Sequence, residues 1–422
     1  MPQPISVLDN YKLEVSKIRG FAATRMGHPY TGHTPVCEPS QDQLEEKLID
    51  NSVLGVKPGS IADTYINNVG SPYSRSKYIQ RDVKGIELDA IKRVIHHLGA
   101  NEPMRGYITA GATEASLACL WWLRNELRNH SKNLFMLASE SSHSSVFKVA
   151  NILDIKCVKV PSDNFGKVEV NSLLDKINEI NTAYEKVAFI ISLNIGTTEL
   201  GGIDDILSIT SEINILQKKE EFICRYHVDA ALLGLAIPIF RYVGDQSILD
   251  LVDTFVFSGH KLLGTISISG MALAKSYIWE KAFKNLDISI PYIEGIQDTT
   301  ALGSRAGYNV IEFHYALCSL DIGELKPSRL TATLLRYNRN AQFLALKLRE
   351  LVGKNFVIHQ ENQFVVVFPF PEKQENTILP FLQKYGLMKV NNNRLGICVL
   401  ANVTKNLIED FIKDYKLALG NQ

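Results

Sequence analysis

The segment DTFVFSGHKLLG carries an apolar stretch into Ser258, Gly259, His260 and Lys261, which sets a lysine amine at the carboxyl end of an expected strand. Ligands of open α/β sheets bind at that edge. Thirty-two positions earlier, RYHVDAALLG runs into a turn in the same way and sets Asp229 at a second strand end, between His227 and the small pair Ala230 and Ala231. Taken singly, each residue has a plain alternative: a lysine there is commonly a solvated loop residue, and an aspartate commonly caps a helix. Taken together they supply two groups that pyridoxal 5'-phosphate (PLP) needs. One is an amine to form a Schiff base with its aldehyde; the other is an acid to keep its pyridine nitrogen protonated, so that the ring accepts electrons from a carbanion.

PLP also carries a phosphate, and the free backbone N–H groups at a helix start bind such an anion. GYITAGATEASLACLWWLRN offers a helix start: Gly111 and Ala112 permit close backbone approach, Thr113 is the expected cap, and Leu117 and Leu120 open an apolar helical pattern. On its own this is an ordinary loop-to-helix junction.

These segments need a scaffold. Residues 1–75 are polar, with Pro, Gly and Ser clusters and one helical pattern around QDQLEEKLIDNSVL, and read as an amino-terminal arm. Over 76–320, short apolar runs (NLFMLAS, CVKVPS, VAFIISLN, FICRYHVDA, DTFVFS, GMALAKS) alternate with helix-length segments. Runs apolar on both faces and spaced by helices predict an α/β domain with a mostly parallel sheet covered on both sides. Over 321–422 a long helical pattern, LTATLLRYNRNAQFLALKLRELVG, precedes strand-like FVVVFPF and RLGICVLANV, which predicts a small α+β domain. Its last helix is expected to be capped by Thr404 and to bury Leu407, Phe411, Tyr415 and Leu419.

Composition narrows the partners. Lysine plus arginine number 45 and aspartate plus glutamate number 45, so no overall positive field draws the chain to nucleic acid or acidic membranes. The six cysteines lack CxxC spacing, which indicates neither a disulfide framework nor a metal site. No basic region followed by an apolar stretch opens the sequence, and no run reaches the ~18 apolar residues of a membrane span. A cytoplasmic location is expected.

Six motifs, collinear between about residues 68 and 316, resemble the group II PLP-dependent amino-acid decarboxylases, and among these the bacterial histidine decarboxylases and plant serine decarboxylases most of all. TAGATEAS resembles TxGGTExN, SSHSSVFK resembles THxSxxK, and NIGTTELGGIDDI resembles NxGTTxxGxxDDI. HVDAALLG, SGHKLLG and GSRAG follow HxDAAxxG, SGHKxxG and GSRxG. The resemblance implies the fold of aspartate aminotransferase, PLP fold type I, and it implies roles. Lys261 forms the Schiff base, Asp229 pairs with the pyridinium, His143 stacks on one ring face and Ala231 packs on the other. Thr198 contacts the phenolic oxygen, while the backbone of Ala112 and Thr113 with the side chains of Ser258 and His260 holds the phosphate. Ser304 reaches the phosphate from a neighbouring subunit, which implies a homodimer with a shared site. Arg305 beside it reads as a structural ion-pair residue. Tyr292, one residue further from GSR than in the family pattern, corresponds to the donor of the proton to Cα, with a surface-loop tyrosine as the alternative.

The implied reaction is decarboxylation of an L-amino acid to its amine, with histidine the first candidate and serine, aromatic or branched-chain amino acids open. Departures from the pattern leave the substrate open: Ala110, Ala112, Ala115 and Ser116 in the cofactor loop, Ser144 after His143, and Glu199 near the expected substrate end. An aminotransferase or carbon–carbon lyase is the alternative on the same scaffold, with Arg394 a candidate carboxylate clamp. A non-catalytic homologue is the alternative of another class.

Overall fold

The computed structural model describes residues 66–74, 83–284, 286, 288–291, 296–369, 381–390 and 393–420. Most of the expected amino-terminal arm, and Tyr292, lie outside these described residues. The chain divides into two compact units, the larger ending at Thr333 and the smaller formed by Leu334 onward together with Glu199–Gly201.

In the larger unit, α1 (Lys84–Leu98) leads into β1 (Met104–Thr109) and α2 (Ala112–Arg128). Three strand–helix repeats follow: β2 (Asn133–Ser139) with α3 (Ser144–Ile152), β3 (Lys156–Val160) with α4 (Val170–Ala183), and β4 (Val187–Asn194) with α5 (Ile206–Gln217). Then come β5 (Phe222–Asp229), β6 (Thr254–Ser258), β7 (Gly270–Lys275) and α6 (Ser276–Phe283). A short hairpin, β8 (Ser289–Ile290) and β9 (Ile296–Gln297), precedes α7 (Gly307–Ser319). The sheet order is β1-β7-β6-β5-β4-β2-β3. β3, β2, β4, β5 and β6 run parallel, and β7 lies antiparallel to both β6 and β1.

The mostly parallel sheet follows from the pattern that predicted it. All eight residues of β4 are buried, as a strand covered by helices on both faces requires. β1, which is not among the expected apolar runs, pairs antiparallel with β7 from Met104↔Lys275 to Thr109↔Gly270. On one face α2 buries Trp122, Cys119 and Leu123 against Met136, Ile190, Val256, Ala272 and Trp279. Trp122 is wholly buried, and cutting it back to alanine should cost ~3–5 kcal/mol. Arg225 on the same face reaches Glu126 of α2 at 2.8 Å. Because β2, β4, β5 and β6 share a direction, their carboxyl ends meet along one edge.

The smaller unit holds most of α8 (Ser328–Val352), inside which the boundary falls, then β10 (Val365–Pro369), β11 (Met388–Val390), β12 (Arg394–Cys398) and α9 (Lys405–Gly420). Its three strands form an antiparallel sheet in the order β10-β12-β11, which gives the expected α+β character. The Thr404 hydroxyl accepts the Leu407 N–H at 3.2 Å, the predicted cap. Phe411 and Tyr415 are buried and stacked 5.8 Å apart. Ile408 shares the buried stripe with them, while Leu407 and Leu419 pack at its margin.

Candidate active site

The start of α2 differs from expectation in one respect. Gly111, not Thr113, is the N-cap residue, and no side chain caps the helix. Its φ of 126° is a conformation that side chains rarely adopt. Thr113 lies exposed in the first turn. Glu114 instead reaches back to accept the Ala110 N–H at 2.7 Å, and its other oxygen takes the Tyr107 hydroxyl at 3.1 Å. Burial pushes the Glu114 carboxyl up, against the pull of those two bonds and of Arg305. A helix start without a side-chain acceptor has N–H groups free to bind an anion. β7 comes close enough to support it only because residue 270 is glycine: a Cβ there would stand 2.8 Å from Gly111 C and 2.9 Å from Ala112 N.

Asp229 ends β5 and is buried. Its Oδ1 accepts the Ala231 N–H at 3.0 Å, which turns the chain and sets the small Ala231 beside the carboxylate. On the neighbouring strand Asn194 is its ladder partner. The Asn194 Nδ2 donates to Ser142 Oγ at 3.0 Å, tying the end of β4 to the loop that carries His143. His143 is the N-cap of α3. Its Nδ1 accepts the Ser145 N–H at 3.2 Å and lies 2.7 Å from Ser145 Oγ, while its ring is exposed. An exposed ring with one nitrogen pinned presents a flat face at a fixed angle.

Lys261 lies in a single π-helical turn, Gly259–Leu263, that leaves β6 directly; such turns concentrate at functional sites. Lys261 is half-buried and Ser258 is buried. Ser258 N donates to Ala231 O at 3.2 Å, joining the lysine turn to the Asp229 turn. His260 Nδ1 sits 3.0 Å from Ser269 O, and burial holds its pKa down. Gly259 is required by crowding, since a Cβ would lie 2.3 Å from Ser269 Oγ.

Described contacts therefore run in one chain along the sheet edge: Ala112 to Gly270, Gly270 beside Ser258 in the ladder, Ser258 to Ala231, Ala231 to Asp229, Asp229 beside Asn194, and Asn194 to Ser142 next to His143. Thr198 stands half-buried in the turn after β4, where Thr197 supplies the hydroxyl that closes the turn, accepting Gly202 N–H at 2.7 Å. Ser304 is exposed and bonds Asn67 at 3.1 Å; among the described hydrogen bonds none joins it to this edge. Arg305 is buried against Glu87, the ion pair read from the sequence.

Two polar residues of the site region escaped the sequence reading. Glu114 stood inside the quoted cofactor loop without a role. Asp204 is buried under Asn194, accepting its backbone N–H at 2.6 Å and that of Val168 at 2.7 Å, and burial pushes it up to about 6. The residues fit PLP: an uncapped helix start beside β7 for the phosphate, a buried carboxylate at the end of β5 for the ring nitrogen, and a lysine on the turn after β6, the strand between them.

A mostly parallel sheet with a lysine turn and a buried acid on adjacent strand ends is an arrangement that PLP enzymes use. Residues 86–298 match the pyridoxal-dependent decarboxylase conserved domain, and the chain belongs to that family. PLP is its cofactor and amino-acid decarboxylation its class of reaction. The chain is 25% identical over 355 residues to a histidine decarboxylase of Solanum lycopersicum, covering 83% of this chain and 78% of the relative. It is 26% identical over 354 residues to serine decarboxylase 3 of Oryza sativa subsp. japonica, covering 83% and 72%. The fold matches that of L-methionine decarboxylase from Streptomyces sp. 590, with a TM-score of 0.75 over 99% of this chain and 97% of that one at 16% identity.

Proposed function

We propose that Lys261 attaches the cofactor, that Asp229 holds its ring nitrogen protonated, and that histidine is the substrate. The cofactor part of the reading is carried by the junction of β5 and β6, where the Ser258–Ala231 bond sets the lysine turn beside the Asp229 turn, and histidine is favoured by the tomato relative. When bound, PLP supplies an electron sink for the pair left at Cα as carbon dioxide departs. Asp229, buried at the end of β5, would pair with the ring nitrogen and so favour the protonated ring. His143, with its exposed ring, and Ala231 would hold the two sides of the cofactor ring, and Thr198 its phenolic oxygen. Ala112 and Thr113 would offer backbone N–H groups to the phosphate, with Ser258 and His260 beside them, and Tyr292 would return the proton to Cα.

Ser304 completes the phosphate site of a partner copy in a homodimer. The support is its exposure together with that of Ile266 and Ile268, exposed by 74% and 64%, close to the cofactor loop: a Cβ on Gly111 would stand 3.2 Å from Ile268 Cγ2. Among the described residues no helix is long and apolar enough to cross a membrane. The free state of Cys119, Cys157, Cys224, Cys318 and Cys398 supports the cytoplasm as the location.

Serine is the second reading, favoured by the rice relative. The test is a panel of histidine, serine, aromatic and branched-chain amino acids incubated with PLP-loaded protein, with carbon dioxide, amine and keto acid measured. Histamine with equimolar carbon dioxide supports the first choice and ethanolamine the second. Keto acid without carbon dioxide refutes both. The Lys261→Ala variant should lose the visible absorption of the bound cofactor.

A further inference from the structure

Behind the Asp229 carboxylate the sheet holds a second polar group. Side chains two apart on a strand share a face, so His227 lies on the same side of β5 as Asp229. Ser192, the ladder partner of His227 on β4, joins them there. His227 is 0% exposed and Ser192 2%. The imidazole is anchored from the other side: Nδ1 lies 2.9 Å from Oγ1 of Thr254, its ladder partner on β6. Its Nε2 and the Ser192 hydroxyl are both buried without a hydrogen-bond partner among the described residues.

Two polar atoms left so on ladder-paired residues in an interior each cost ~1–3 kcal/mol. Where such groups converge, a buried water making 2–4 hydrogen bonds is the usual remedy. Asp229 supplies a further acceptor, because the Ala231 N–H engages only its Oδ1. Burial also drives His227 down to about 4 against the opposing charge of Asp229, so the ring is neutral near pH 7. A neutral imidazole can donate toward the carboxylate without adding a positive charge that would compete with a pyridinium for it.

We propose that His227 is a positioning residue for Asp229: its Nε2–H and the Ser192 hydroxyl hold one water between β4 and β5 that hydrogen-bonds the carboxylate from behind and fixes its orientation. The Thr254 hydroxyl donates to Nδ1 and so selects the tautomer. This rests on the reading that Asp229 holds the cofactor ring nitrogen, and it adds the group that aims Asp229.

The test uses the full chain. In the unloaded parent, nitrogen NMR of His227 should show a neutral ring protonated at Nε2 between pH 6 and 8. PLP titrations of Ser192→Ala and His227→Asn should each give binding weakened about tenfold, as expected for one lost hydrogen-bonded link. The double variant should be no weaker than His227→Asn alone, because both substitutions release the same water. An Nδ1-protonated ring, parent-like PLP affinity in both single variants, or additive losses in the double variant each overturn the proposal. Asp229→Ala is the control. If it binds PLP like the parent, the cofactor reading itself has failed; if it alone weakens binding, only the role of His227 has.

Discussion

Arg305 and Glu87 form a buried ion pair across 218 positions of sequence, with Nη2 3.1 Å from Oε2. The guanidinium also donates to the carbonyls of Ile108 and Gly70 and lies 5.0 Å over the Tyr107 ring. Glu87 in turn accepts the Ile108 N–H at 2.8 Å and the Asn68 amide. The pair thus pins β1, the strand that delivers the cofactor loop, to the segments around residues 70 and 305.

Removing one partner leaves an uncompensated buried charge. Arg305→Ala should destabilise the protein by ~3–5 kcal/mol. Replacing both, as Arg305→Met with Glu87→Leu, should cost less than the single change, since neither charge remains. Urea denaturation of the parent and the two variants checks this; a double variant weaker than Arg305→Ala contradicts it.

Much of this arrangement was legible in the sequence, and the parts that were not share a cause. β4 and β5 could be read because a strand buried on both faces is apolar throughout. Lys261 and Asp229 could be read because each ends such a run. β1 could not: GYIT is short and merges into the small-residue cofactor loop, and its partner β7 is antiparallel, so no crossover helix announces the pairing. The cap of α2 was misassigned to Thr113 because a capping side chain is the usual signal, whereas this helix start has none. Glu114 and Asp204 are not legible in the sequence because their shortest bonds are to backbone N–H groups, which sequence does not reveal.

Gly270→Ala tests whether β7 sets the position of the cofactor loop. The new methyl would lie under 3 Å from backbone atoms of Gly111 and Ala112, which cannot rotate away as a side chain tip can. Overpacking of this kind should cost ~1–3 kcal/mol, and the shift it forces in the start of α2 should weaken PLP binding. Thermal unfolding and PLP titration together check it. A variant with lowered stability but parent-like PLP affinity shows that the loop keeps its place without β7.

Glu114 makes a narrower claim. It holds the Ala110 N–H and the Tyr107 hydroxyl, and that hydroxyl accepts the Ala301 N–H at 3.0 Å. One carboxylate thereby joins the cofactor loop to the segment leading to Ser304. Glu114→Ala should weaken PLP binding about tenfold, the worth of one hydrogen bond to a charged group. Glu114→Gln keeps the reach and one acceptor oxygen, so it should recover part of the loss. Equal affinities of the two variants would show that charge, not reach, is what matters.

Asp204 gives a pH dependence of definite sign. Its carboxyl titrates near 3.8 in the unfolded chain and is pushed up to about 6 in the fold, chiefly by burial. The native state therefore keeps its proton longer than the unfolded state does. The stabilisation this brings is full below pH 3.8 and is lost as pH rises through 6, a change on the order of 3 kcal/mol. His227, which burial pushes down to about 4, acts oppositely: its contribution is full above 6.5 and is lost as pH falls toward 4. In Asp204→Asn the first slope disappears and the second remains. Subtracting the variant's unfolding free energy from the parent's at each pH cancels His227 and isolates Asp204. That difference should fall as pH rises from 4.5 to 7.5 in urea denaturation series. A flat difference means the three hydrogen bonds from Val168 N and the Asn194 backbone and side chain hold Asp204 ionised throughout, and that burial does not dominate at this position.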